Sequence, residues 1–124
     1  MASYLSVAAE DLDAARRLSA EPINRMAAFH LQQAAEKLVK ALLLHRGVTT
    51  TAEHRIAVLL DGLEPSDPWR RRLAPLDRLT PFATTYRYPT PGGRLKPGPD
   101  AAILTAEVAE LEVLHRDLAA ELLR

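Results

Sequence analysis

RMAAFHLQQAAEKLVKALLLHRG, residues 25–47, is rich in alanine and leucine and contains no proline. Both residue types have high helix propensity, so the segment predicts one long α-helix. Pro22 fits the first turn of that helix, where its missing N–H removes no hydrogen bond, and Gly47 is the expected C-terminal stop. We therefore expect a helix over residues 22–46. Its broad apolar face comprises Ala27, Leu31, Ala35, Leu38 and Leu42.

The opposite side of this helix is also partly apolar. A helix with apolar residues on both sides needs cover on both sides. Either it is the central helix of a monomer, or its second face packs on another chain. We favour the second interpretation, a homodimer, and keep the first as the alternative. The residues on this second side are Met26, Phe29, Leu43 and Leu44, among Gln33, Lys37 and Lys40.

The composition of the whole chain indicates an all-α protein. Its 124 residues suit a single domain over residues 1–124, and alanine and leucine supply 21 residues each. Sixteen basic and sixteen acidic residues balance, which excludes a strongly basic nucleic-acid binder as a description of the whole chain. The absence of cysteine excludes disulfides, thiolate metal sites and cysteine nucleophiles.

The sequence predicts a cytoplasmic protein with no membrane partner. The first residues lack a basic segment followed by an apolar one, so no secretory signal is expected. No uninterrupted apolar run approaches the ~20 residues that span a bilayer. Arginine outnumbers lysine thirteen to three, which indicates a bacterial source with a GC-rich genome.

Both ends of the chain are predicted to be helices. The first covers residues 3–20 and the last covers residues 100–123. Spacings of four and three residues give the last helix an apolar stripe made of Leu104, Val108, Leu111, His115, Leu118 and Leu122.

Two shorter helices are predicted in the middle of the chain. The first begins after Thr50, where residues 50–53, TTAE, have the pattern of a capping box, and runs towards Leu63. The second covers residues 68–86, and Pro75 and Pro81 either kink it or split it.

Residues 65–99 hold eight of the nine prolines and carry seven basic and two acidic residues, a local charge of +5. Their last part, RYPTPGGRLKPGP over residues 87–99, is predicted to be an exposed loop. It combines cations and rings suited to phosphates and bases. The candidate nucleotide- or RNA-binding residues are therefore Arg87, Tyr88, Tyr86, Arg94 and Lys96. Alternatively, Arg87 pairs with an acidic residue of the last helix and Tyr88 packs on the bundle.

Residues 25–47 resemble the central helix of the HEPN domain, most specifically over residues 30–41, HLQQAAEKLVKA. A histidine at the head of the third helix (His54), the Arg87-Tyr88-Pro89 sequence and the closing amphipathic helix agree with this family. The resemblance implies an up-and-down bundle of four main helices plus a short or kinked fifth, usually dimeric. It also implies a neighbouring minimal nucleotidyltransferase, in a toxin–antitoxin-like pair, that attaches nucleotide to a tyrosine, here Tyr88 or Tyr86.

Many HEPN proteins are metal-independent ribonucleases with an arginine followed, after four to six residues, by a histidine. Here no histidine follows Arg87 until His115. Arg25 and His30 match the spacing, but five helical residues turn them about 140° apart, so we interpret the match as accidental. The intact motif is therefore absent, and no catalytic residue is assigned with certainty; Arg87, His54 and His30 are the candidates.

The remaining candidates have structural alternatives. His54 suits a capping or core-edge hydrogen bond, and His115 suits a satisfied position in the core or interface. His30 and Lys37 share a face of the central helix and would border a nucleotide cleft or a dimer seam. Glu36 and Lys40 form an i,i+4 pair, worth only ~0.3 kcal/mol if it lies on the surface.

Three functions compete. The first is a HEPN-type module that binds nucleotide or RNA and interacts with a partner protein. The second is a metal-independent endoribonuclease toxin, with Arg87 as phosphate clamp and His54 or His30 brought from elsewhere in the fold. The third is a structural helical dimer. No metal or cofactor is expected, and the missing histidine favours the first function.

Overall fold

The computed structural model describes residues 2–19, 24–50, 52–85, 91–94 and 98–124. Within these ranges it contains helices and no strands, which confirms the all-α fold class. The helices are α1 (Ala2–Leu18), α2 (Arg25–His45), α3 (Ile56–Leu60), α4 (Pro68–Leu73), a 3₁₀ helix (Ala74–Ala83) and α5 (Ala101–Leu122). No helix in the described ranges is long and apolar enough to cross a membrane.

Helix α2 is the centre of the bundle. It packs against α1, α3, the 3₁₀ helix and α5. Its predicted apolar face is fully buried, and Leu43 on the second side is buried as well. Cover from within the same chain therefore accounts for the predicted face and for Leu43 on the second side. Met26 and Leu44 remain partly exposed.

Helices α1, α2 and α5 begin and end close to their predicted bounds, and Gly47 adopts a φ of +79° just after α2. Pro22 lies outside the described residues. One position of the predicted α5 stripe is wrong, because Leu114 is buried where His115 was expected. His115 is only half-buried, and its Nε2–H donates to the carbonyl oxygen of Leu5 at 2.9 Å.

The predicted start of the third helix is also wrong. Helix α3 has five residues and begins at Ile56, after the TTAE segment. The carboxylate of Glu53 accepts from the backbone N–H of Arg55 instead of closing a capping box. The free N–H groups of the first turn find acceptors on the 3₁₀ helix: Thr80 Oγ1 accepts from Ile56 at 3.2 Å, and Asp77 accepts from Ala57 at 3.0 Å.

The predicted helix over residues 68–86 is split. Asp67 caps α4 by accepting from Trp69 N at 3.0 Å, and Pro68 occupies the first turn. The helix then tightens to 3₁₀ geometry at Ala74, directly before Pro75, and Pro81 lies inside the 3₁₀ segment. Proline cannot donate an intrahelical hydrogen bond and crowds the preceding turn, which explains why the α-helix does not continue.

Candidate functional site

Four of the predicted binding residues lie outside the described residues, namely Tyr86, Arg87, Tyr88 and Lys96. Arg94 is described and lies in an exposed turn with Gly93, whose φ is +79°. On its C-terminal side the loop is anchored to the bundle. Asn24, at the start of α2, donates from Nδ2 to the carbonyl oxygen of Pro99 at 2.7 Å. A Cβ at Gly98 would collide with the Asn24 carboxamide, so a larger residue there would displace the side chain that makes this contact.

His30 and Lys37 share one anchor, Asp11 of α1. Nδ1 of His30 donates to Asp11 Oδ1 at 2.8 Å, and Lys37 Nζ donates to Asp11 Oδ2 at 2.7 Å. Lys37 also donates to Gln33 at 3.2 Å. The two side chains share a face of α2, as the sequence predicts, but both are occupied by the same carboxylate. This cluster ties α1 to α2 and leaves little positive charge for a ligand.

His54 contacts a second carboxylate, Glu36 of α2. Its Nδ1 lies 2.8 Å from Glu36 Oε1, while Lys40 Nζ donates to Oε2 at 3.1 Å. Gln32 completes the cluster by donating from Nε2 to Glu36 Oε1 at 3.2 Å and to the carbonyl oxygen of His54 at 3.3 Å. Three residues of α2 and one from the segment before α3 thus form one hydrogen-bonded group, which we call the Glu36 cluster.

Burial distinguishes the Glu36 cluster from a surface ion pair. The side chains of Glu36 and Lys40 are 5% and 8% exposed, whereas that of His54 is 66% exposed. The sequence-based value for the Glu36–Lys40 pair assumed a surface position, so it does not apply. A buried carboxylate needs compensating donors, and here Lys40, Gln32 and His54 supply them.

Charges next to His54 in the chain are balanced locally. Glu53 accepts from the Arg55 side chain at 2.8 Å and from the Arg55 backbone N–H, and these hydrogen bonds lower the pKa of Glu53 to about 2. Glu53 is therefore ionised at neutral pH, and its charge is offset by Arg55. The Glu53–Arg55 pair thus adds no net charge beside the His54 ring.

The Arg70–Arg72 run is held by contacts within the protein. Arg70 donates to the carbonyl oxygen of Leu63 at 2.7 Å and to Asp61 at 3.1 Å. Arg72 donates to Asp117 at 2.5 Å, and its guanidinium lies 4.6 Å from the centre of the Trp69 ring. Two of the three arginines thus fasten α4 to its neighbours, so this basic run serves contacts within the protein.

One groove of about 380 Å³ lies between α1 and α5, with Asp13, Arg16, Glu112 and His115 among its lining residues. Arg16 and Asp13 compensate each other, so Glu112 is the remaining charged residue of this lining and the groove offers no uncompensated arginine. It does not suit an anionic ligand. Within the described ranges, no cluster of His, Asp or Glu side chains has the arrangement of a metal site.

The contacts of Asp11 with His30 and of Glu36 with His54 were not predicted. Glu36 is in the HEPN-like run, and its i,i+4 spacing to both Gln32 and Lys40 was a usable signal for a polar cluster on one helix face. Its contact with His54 bridges 18 positions, and no local pattern indicates it.

A sequence model of the HEPN domain family matches residues 1–112. The match includes α1 to α4, the 3₁₀ helix and the first half of α5, and it contains both carboxylate–histidine pairs. No curated protein and no solved structure matches the chain significantly.

Proposed function

The chain belongs to the HEPN domain family, a superfamily of nucleotide- and RNA-related modules, and from this premise we propose that it binds single-stranded RNA or a nucleotide through its proline-rich loop. The observation that carries the proposal is that three arginines of the +5 segment, all before the loop, form ion pairs within the protein. Arg70 and Arg72 are paired with Asp61 and Asp117. Arg78 is paired with Glu107 and Glu110 of α5.

These pairs neutralise part of the positive segment before the loop begins. They also occupy Glu107, Glu110 and Asp117, three of the acidic residues of α5 that could otherwise pair with Arg87. We assign the phosphate and base contacts to Arg87, Arg94 and Lys96, with Tyr86 and Tyr88, because their cations and rings suit these groups. Lys37 is no longer a strong candidate, since Asp11 and Gln33 bind its ammonium group.

The test is binding of a labelled single-stranded RNA in EDTA, measured by fluorescence anisotropy, with cleavage followed on a gel. We expect the wild-type protein to bind without cleaving, and Arg87→Ala to weaken binding about tenfold, the loss of one charged phosphate contact. Arg71→Ala is the matched control, because Arg71 is an exposed arginine of the same basic segment on α4.

Three outcomes are informative. No binding by the wild type, or an equal loss in both variants, contradicts the loop as the binding element. Cleavage in EDTA that Arg87→Ala abolishes supports the second candidate function, a metal-independent endoribonuclease that uses Arg87 with a histidine from elsewhere in the fold. The observation that favours this candidate is His54 in the Glu36 cluster, whose ring is exposed and hydrogen-bonded to a carboxylate.

We further propose a homodimer that pairs with a minimal nucleotidyltransferase in a toxin–antitoxin-like module, with Tyr88 as the modified residue. HEPN domains commonly dimerise, and Met26 and Leu44 expose apolar surface on α2. Analytical ultracentrifugation at micromolar concentration should give a molecular mass of about twice 13.7 kDa.

Co-expression with the nucleotidyltransferase should raise the mass of the protein by that of a nucleotide, and Tyr88→Phe should prevent this gain. A monomeric mass contradicts the homodimer, and a mass gain that Tyr88→Phe retains contradicts Tyr88 as the modified residue.

A further inference from the structure

The Glu36 cluster fixes the orientation of one imidazole ring. Glu36 is buried, and each of its carboxylate oxygens accepts a hydrogen bond, Oε2 from Lys40 and Oε1 from Gln32. Because an ionised carboxylate can only accept, the 2.8 Å contact with His54 places a proton on Nδ1 of that ring. A carboxylate that holds Nδ1–H in this way sets both the tautomer and the direction of a histidine.

The other nitrogen of His54, Nε2, is then available. It has no hydrogen-bond partner among the described residues, and 66% of the side chain is exposed. His30 and His115 differ in this respect. His30 is held against Asp11 with 26% of its side chain exposed, and His115 uses its own Nε2 on the carbonyl oxygen of Leu5. Of these three histidines, His54 combines a fixed ring with an accessible nitrogen.

The position of His54 relates it to the proposed binding loop. Two residues after His54, the backbone N–H of Ile56 donates to Thr80 on the 3₁₀ helix. Thr80 precedes Tyr86 by six residues and Arg87 by seven. The Gln32 contact with the carbonyl oxygen of His54 fastens the same backbone to α2. His54 is thus attached on one side to the bundle centre and on the other to the helix that leads into the loop.

We infer that His54 is a contact residue for bound single-stranded RNA, with Nε2 hydrogen-bonding a phosphate or ribose oxygen, and that Glu36 is its positioning residue. The inference rests on the proposed function, since RNA is the ligand that it names. When the ring is protonated, Nε2–H donates to a phosphate oxygen in a charge-assisted hydrogen bond. When the ring is neutral, Nε2 accepts from a ribose hydroxyl group.

Two substitutions separate this contact from a structural role. In His54→Asn the new side-chain amide nitrogen would occupy the Nδ1 position, so this variant retains a donor for Glu36 and lacks an atom at Nε2. His54→Gln places its amide near the Nε2 position and loses the contact with Glu36. We expect His54→Asn to keep wild-type thermal stability but to bind RNA about tenfold more weakly, as for the loss of one charge-assisted hydrogen bond. We expect His54→Gln to be less stable and to retain more of the RNA affinity.

The same anisotropy assay is run with wild type, the two His54 variants, Arg87→Ala and the control His45→Asn, which alters an exposed histidine at the end of α2. In parallel, imidazole ¹⁵N NMR of the wild type follows both nitrogens of His54. Added RNA should shift Nε2 strongly and leave Nδ1 nearly unchanged. The control should bind as the wild type does.

The pattern of losses identifies which proposal fails. Normal binding by His54→Asn, or no shift of Nε2 on addition of RNA, overturns the role of His54 while a loss in Arg87→Ala still supports the loop. A loss in His54→Asn with normal binding by Arg87→Ala supports His54 and overturns the loop. Absence of binding by the wild type overturns both. An equal loss in His45→Asn also overturns the role of His54, because the effect is then not specific to that ring.

Discussion

At the scale of single residues, Asp67 joins two parts of the bundle. Its carboxylate accepts from Arg46 Nε at 2.9 Å and from the backbone N–H of Trp69 at 3.0 Å. These contacts, the Arg46 hydrogen bond above all, hold the pKa of Asp67 below its usual range. The ionised form is therefore favoured by folding. Its contribution is present at pH above about 4, where the unfolded carboxyl is ionised, and it is lost as the pH falls through the lower folded value.

We expect Asp67→Asn to lower the free energy of unfolding at pH 7 by about 1 kcal/mol, because asparagine still caps α4 but no longer pairs with Arg46. The difference from wild type should shrink as the pH falls from about 4 towards about 2, since the wild-type carboxyl is then protonated as well. Urea unfolding at neutral and acidic pH measures it. Asp100→Asn is the matched control, since Asp100 caps α5 through Ala102 N at 2.9 Å and forms no ion pair with an arginine in the described part of the chain. Equal losses in both variants, independent of pH, would contradict the role of the Arg46 pair.

Single positions were predictable where chemistry depends on neighbours in the sequence. The shared face of His30 and Lys37 follows from helical spacing and is confirmed. His115 forms a hydrogen bond, as expected, but it lies half-buried beside the core and not in it. The burial of Glu36 was not predictable, because the same i,i+4 spacing describes an exposed pair and a buried one. It is the segment around His54, distant in sequence, that covers this carboxylate.

At the scale of elements, the long helices were predictable and the short ones were not. Helices α1, α2 and α5 each extend over 17 residues or more, so several turns of apolar periodicity determine them. Helix α3 has only five residues. Its start is set by Thr80 and Asp77 of the 3₁₀ helix, which supply the acceptors that a local capping box would have supplied.

The 3₁₀ helix illustrates how proline determines local geometry while tertiary packing selects the outcome. The sequence allowed either a kink or a split at Pro75 and Pro81, and the structure shows a split. Leu76 and Leu79, three residues apart, are both buried, which fits a helix with three residues per turn. This short element then carries Asp77 and Thr80 to α3 and leads towards the proposed binding loop.

At the scale of the whole molecule, the bundle does not end where the family match ends. The match stops at residue 112, whereas α5 continues to Leu122. The last ten residues of α5 bury Leu114, Leu118 and Leu122. Glu121 accepts a hydrogen bond from Nε1 of Trp69, the single tryptophan, on α4. The end of α5 therefore closes the core over the helices that precede it.

We expect a chain that ends at residue 112 to lose cooperative folding. Removing three buried leucines costs about 2–5 kcal/mol each, and the sum is comparable to the roughly 5–15 kcal/mol that stabilises a typical domain. Far-ultraviolet circular dichroism should show reduced helix content without a cooperative thermal transition, and the fluorescence of Trp69, which is 6% exposed in the intact bundle, should shift to longer wavelength. A chain ending at Leu122 is the control, because it loses only two exposed residues. If residues 1–112 unfold cooperatively with native tryptophan emission, the end of α5 is dispensable, and the core is complete within the part of the chain that the family match covers.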